Sequence, residues 1–182
     1  WGGLETQLGT LLHAADLPFT GLLMMSLGLF FQTITRQVTQ KKGSALLLAI
    51  VAVFIKLLIV GGVAFSVALA IFLQSALLEL IYFHRNPSRL RMALGGATAV
   101  AYSLFHPFFS MPLFMGLSVR DALNHIVING SNILGINASH IWILLFFILA
   151  IHLICGFVVA FAAYTVVTKL QARGLAPFGG KT

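Results

Sequence analysis

SALLLAIVAVFIKLLIVGGVAFSVALAIFLQSALLELIYF, residues 44–83, decides the fold. The run carries two charged side chains, Lys56 and Glu79, and is about twice as long as the ~20 apolar residues that one helical crossing of a bilayer needs. Gly61-Gly62 lies near its middle, where a helix is weakest and a tight turn is easiest. The run reads as a hairpin of two membrane helices, 44–60 and 62–83.

The same arithmetic extends to both sides. Residues 18–35 form an apolar run with Pro18 at a position the first helical turn tolerates. Residues 92–109 form another, ending around His106-Pro107. The last, 141–168, is longer at ~1.5 Å per residue than the hydrocarbon is thick, so it must tilt or project. The expected fold is all-α: one polytopic transmembrane helix bundle over 1–182 with five spans. A further helix ahead of Trp1 would make six.

Composition supports lipid as the solvent. Hydrophobic residues make up 59% and charged residues 8%, with a mean hydropathy of +1.01. So few charged side chains cannot cover the surface of a soluble globule of this size. The net charge of +7 does not point to nucleic acid, because the basic residues sit in short clusters between apolar runs and not along one polar face. Cys155 is the one cysteine and lies in an apolar run, which excludes a disulfide framework and a thiolate zinc site.

Those basic clusters set the expected orientation, since cytoplasmic loops retain an excess of lysine and arginine. Arg36, Lys41 and Lys42 fall in the first connection, Arg85, Arg89 and Arg91 in the third, and Lys169, Arg173 and Lys181 in the tail. Nine of the eleven basic residues thus share one side of a five-span arrangement. The Gly61-Gly62 turn and the segment 110–140 share the other side with Glu5, Asp16 and only Arg120. This predicts a multi-pass protein of the cell (inner or plasma) membrane with a cytoplasmic C-terminus.

The outer segment, 110–140, is the least regular part of the chain. Ser118 three residues before Asp121 forms a capping-box start, and Val119, Leu123, Ile126 and Val127 follow at helical spacing. A short extracytoplasmic amphipathic helix is predicted over 119–128, ended by Gly130 and placed to act as a lid.

Ionisable side chains within spans are costly to desolvate, so each is a functional candidate. Lys56 lies close enough to the outer turn to snorkel to the headgroups, or it faces a cavity as a cation. Glu79 lies near the inner end of its helix, within reach of Arg85 or Arg89 for a structural pair. Gln74 and His152 both count to mid-membrane, either hydrogen-bonded to each other across helices or touching a ligand. Gly95, Gly96 and Ala99, and Gly156, Ala160 and Ala163, are small-residue stripes suited to close helix packing.

On the outer side Arg120, Asn124, His125, Asn129, Asn132 and His140 crowd one stretch, with His106 at the end of the preceding span. They are either solvated loop residues or a binding rim. No metal site is expected, because His125 and His140 lack H-x-x-x-H spacing and an acidic third ligand. Asn129-Gly-Ser and Asn137-Ala-Ser match the glycosylation acceptor pattern, which is short enough to arise by chance. The chain has no G-x-x-x-x-G-K-[ST], G-x-S-x-G or H-E-x-x-H, so it reads as non-enzymatic, without a cofactor. Uphill movement of a solute would need a partner's ATP hydrolysis or an ion gradient.

The stretch from Lys56-Leu-Leu-Ile-Val-Gly-Gly through Ala70-Ile-Phe-Leu-Gln-Ser-Ala-Leu-Leu-Glu79-Leu, with the passage from His13 to Gly21 into the first span, resembles the substrate-binding S components of energy-coupling factor (ECF) vitamin transporters. The resemblance covers most of the chain diffusely. It implies a bundle that takes one small, vitamin-like nutrient from outside and docks on a transmembrane T-type subunit and ATPase subunits. It directs substrate binding to His106, Arg120, Asn124, His125 and His140, with Lys56 as an anion contact. That family has six spans with the N-terminus inside, and small residues four apart on its first helix; this chain offers Gly21, Ser26 and Gly28. Two other readings compete: a non-catalytic structural subunit of a larger membrane complex, for which the small-residue stripes speak, and a membrane enzyme using His106, His125 or His152 as acid or base.

Overall fold

A computed structural model describes residues 2–3, 7–9, 11, 19–60, 65–83 and 87–174. Glu5, His13, Asp16, Pro18, the Gly61-Gly62 turn, Arg85 and Lys181 lie outside the described residues. Within them all regular structure is helical: α1 Thr20–Thr39, α2 Ser44–Val60, α3 Phe65–Ile81, α4 Arg89–Phe105, α5 Pro107–Met115, α6 Val119–Leu134 and α7 Ile141–Ala172.

Local chemistry sets the ends. Ser88 caps α4, its hydroxyl accepting the Arg91 N–H at 3.3 Å. α4 stops at Phe105 because Pro107 has no N–H to continue the ladder, and the chain restarts as α5 with Pro107 in its first turn. The run 92–109 is therefore two helices. Ser118 and Asp121 form the full reciprocal capping box that opens α6. α6 does not end at Gly130. It runs to Leu134 and closes on Gly135, whose φ of 65° is the left-handed conformation that glycine adopts without strain. Gly130 stays helical and is buried against the Ile148 side chain of α7, which leaves little room for a Cβ unless Ile148 shifts.

Helices α1 and α3 run parallel, and α2 and α4 run antiparallel to them. α7 lies antiparallel to α4 and also packs on α1, while α5 and α6 pack together at the far end. The buried face of α7 is a single stripe, Leu144, Ile148, His152, Gly156, Ala160, Ala163 and Val167, spaced three or four apart. Its small residues meet those of α4. A Cβ on Gly96 would lie 2.6 Å from the Gly156 carbonyl oxygen, and one on Gly156 would lie 2.8 Å from Ala97 Cα, so the two backbones approach as only glycine permits. Leu22, Leu29, Leu78, Tyr82, Met92 and Val100 fill the core beside this seam.

The outside of the bundle is apolar. Leu47, Phe54 and Leu58 of α2, Leu80 of α3, Leu94 of α4 and Phe146 of α7 are all exposed. α7 has 32 residues and is long and apolar enough to cross a membrane. Only 28% of its most apolar stretch is buried, whereas the core helix of a soluble protein is mostly covered. α2 and α3 are apolar but shorter, so among the described residues α7 is the one helix that meets both requirements. The contacts Arg36 to Tyr82, Glu79 to Ala45, Gln37 to Thr168 and Arg89 to Thr165 bring the ends bearing Lys41, Lys42, Arg89, Arg91, Lys169 and Arg173 together at one end of the bundle. Arg120 and Asp121 stand at the other.

Candidate functional site

At the end away from the basic cluster, the predicted rim does not converge. Arg120, Asn124, His125 and His140 are exposed. The apolar face of α6, with Ala122, Ile126, Val127 and Gly130, is buried against the bundle, and this turns its polar side chains outward. His125 bonds Asn129 one turn on, at 3.2 Å. Asn137 accepts from the Ser139 N–H at 2.9 Å, a local turn. Asp121 takes the Ser118 hydroxyl at 2.7 Å and the Ser118 N–H at 2.8 Å, and the hydroxyl above all holds its carboxyl below the usual range. Lys56 is half-buried on α2.

His106 alone among the rim residues faces inward. Its Nε2 lies 3.0 Å from the Ser66 carbonyl, which can only accept, so Nε2 carries the proton and Nδ1 accepts from the Ser110 hydroxyl at 3.3 Å. The ring thereby ties the start of α3 to the break between α4 and α5.

What the fold brings together is a polar seam between α1 and α3. Gln74, buried, donates to the Met25 carbonyl at 3.2 Å. Further along, buried Gln32 donates to Ser75 Oγ at 2.8 Å, and Ser75 donates to the Ile71 carbonyl at 2.7 Å. Gln32 Oε1 is buried and accepts no hydrogen bond within the described residues. The expected bond between Gln74 and His152 is not made: Gln74 bonds Met25 of α1, and His152 Nδ1 bonds Ile148 of its own helix at 2.7 Å.

The seam ends at the basic end in a buried ion pair. Arg36 Nε lies 3.6 Å from Glu79 Oε2, with the arginine side chain fully buried and the glutamate 12% exposed. Arg36 Nη2 also donates to the Tyr82 carbonyl at 2.9 Å, and Tyr82 in turn donates its hydroxyl to the Met92 carbonyl at 2.7 Å. The other Glu79 oxygen accepts the Ala45 N–H at 2.7 Å, in the first turn of α2, where the helix dipole favours a carboxylate. Four helices are joined by one chain of polar contacts. Glu79 is therefore structurally paired, but with Arg36; Arg89 instead donates to Thr165 and stacks on Phe161.

The apolar run 18–35 leaves Arg36 in the first connection, yet the structure places it inside α1. Leu22, Leu29, Gln32, Thr33 and Arg36 recur at helical spacing on one face, and that periodicity places Arg36 on the buried side of α1. No protein-family model, curated protein sequence or solved structure matches the chain.

Proposed function

We propose that this chain is a multi-pass membrane protein, with its basic end cytoplasmic, that serves as the substrate-binding subunit of an uptake system for a small, vitamin-like nutrient powered by partner ATPase subunits. The observation that carries this reading is the asymmetry of the α1–α3 seam. Uncharged hydrogen-bonding groups, Gln74, Gln32 and Ser75, lead inward from the end at which α5 and α6 lie, and Gln32 keeps a buried acceptor in reserve. At the basic end the seam is blocked by Arg36 and Glu79, whose separation would leave charge uncompensated in a low-dielectric interior. A seam stopped at one end suits a binding subunit that depends on partners for release, and suits a free-standing pore poorly.

The lipid-facing helices required by this reading are supported by the apolar outer surface and by α7. The nutrient is expected to enter past His106 and the α5–α6 cap. A purely structural subunit is less well supported, because the glycines offered for partner docking are already covered, Gly96 and Gly156 by each other across the α4–α7 seam and Gly95 by Tyr82. The test is a thermal-shift and native mass spectrometry screen of the purified protein against vitamins and their precursors, repeated with Gln32→Leu. A ligand that stabilises the native chain and not the variant supports the seam as its site. A chain that binds nothing in the set and co-purifies with no ATPase defeats the proposal.

A further inference from the structure

We propose that the α4–α7 seam at the basic end is a binding site for the phosphate of an anionic phospholipid. The inference rests on the reading of α7 as a membrane helix.

The first turn of α4 breaks a local rule. Helix N-termini favour anions, yet this turn holds Arg89 and Arg91 and no acid. Both the cations and the helix dipole there call for negative charge, and the described residues supply none nearby: Asp121 stands at the opposite end and Glu79 is held by Arg36 and Ala45. The guanidinium of Arg89 is nonetheless fixed in place. It sits 3.5 Å over the Phe161 ring and donates Nη2 to Thr165 Oγ1 at 2.9 Å, while the Thr165 hydroxyl donates to the Phe161 carbonyl at 2.7 Å. The bond to Thr165 engages one of five guanidinium N–H groups.

Along α7, Ile154, Val158, Phe161, Thr165 and Lys169 fall within about 80° of arc at ~100° per residue. Ile154, Val158 and Phe161 are exposed and apolar, and Lys169 is exposed. The face therefore reads hydrocarbon at Ile154 and Val158, then the Arg89 guanidinium over Phe161 and beside the Thr165 hydroxyl, then Lys169 one turn on. A diacyl phospholipid presents acyl chain, glycerol ester and phosphate in that order. A zwitterionic headgroup would bring its own cation to a site already positive, which selects an anionic lipid such as phosphatidylglycerol. A soluble phosphate would meet the cations but leave the apolar stripe unused.

The test is native mass spectrometry of the detergent-purified protein with phosphatidylglycerol and, separately, phosphatidylcholine of the same acyl chains. Phosphatidylglycerol should be retained preferentially, and Arg89→Gln and Lys169→Gln should each weaken it about fivefold. Arg91→Gln, about 200° round the helix from Arg89, should leave it unchanged. Lys169 is exposed, so its variant keeps the test valid should Arg89→Gln fail to fold. Equal weakening by Arg91→Gln would reduce the site to general charge attraction and overturn the proposal, as would equal retention of both lipids. Displacement of the lipid by millimolar inorganic phosphate would make it a free-anion site and overturn the lipid assignment. Carbonate extraction of cell membranes separates the two levels: a chain that stays embedded without lipid preference defeats this site alone, and a chain that washes off defeats the membrane reading as well.

Discussion

The two ends of the bundle hold polar groups in opposite ways. At the basic end the contacts are long-range: Arg36 to Glu79 and Tyr82, Glu79 to Ala45, and Tyr82 to Met92 link four helices through buried atoms. At the other end most contacts close within four residues, as in Ser118 with Asp121, His125 with Asn129 and Asn137 with Ser139, and the side chains face outward. His106 bonding Ser66 is the exception. One end is a foundation whose parts depend on one another. The other is a locally folded cap resting on α7, with left-handed glycines, Gly116 and Gly135, at either side of α6. A binding subunit needs this division, since a ligand can enter only where the fold opens at low cost.

The largest effect should come from the foundation. Arg36→Ala leaves the Glu79 carboxylate partly buried without its cation and should cost about 3–5 kcal/mol, measured by denaturant unfolding in detergent micelles. Arg36→Met combined with Glu79→Leu should recover most of that loss, because the penalty comes from the uncompensated charge and not from the missing attraction. A double variant as unstable as the single one would refute the argument. Next, Gly156→Val forces α4 and α7 apart, with its Cβ directed at the backbone of Gly96 and Ala97, and should cost about 3 kcal/mol. Ser118→Ala should cost only about 1 kcal/mol, confined to α6. Amide exchange should then quicken in the first turn of α6 while α4 and α7 keep their protection. Should Ser118→Ala loosen the whole chain as Arg36→Ala does, the contrast between the ends fails.

The features legible in the sequence are those whose causes are local. The apolar run 44–83, the capping box at Ser118 and the small-residue stripes each depend on residues a turn or two apart, and all appear in the helices. The end of α6 was not legible, because Gly130 stays helical and packs against Ile148, eighteen positions on. Nor was the partner of Glu79. Counting residues gives depth along a span, but an all-apolar helix does not reveal its rotation, so Gln74 and His152 reached similar depth while facing different carbonyls. The outward placement of the rim residues was hidden for a related reason. They are close in sequence, but the buried face of α6 is the apolar one, and amphipathic periodicity read together with the bundle below it turns Arg120, Asn124 and His125 outward from the bundle.

The finest comparison sets two helix starts side by side. α4 is capped by the uncharged Ser88, with no acid in its first turn, whereas α6 is capped by Ser118 together with the Asp121 carboxylate. Because Ser118 holds that carboxyl below its ordinary range, the ionised form is the one favoured in the folded helix. Its contribution is therefore complete above the unfolded value near ~3.9 and is lost as pH falls through the lower folded value. As pH falls from about 4 through that lower folded value the amide resonances of Ser118 and Asp121 should shift, and the α6 start should fray, while the Ser88 and Arg91 amides of α4 hold steady. Asp121→Asn, which cannot ionise, should remove the pH dependence from α6 and leave a weaker cap at neutral pH. Parallel fraying of both helices would mean that acid acts on the bundle as a whole, and the local character assigned to the outer cap would be lost.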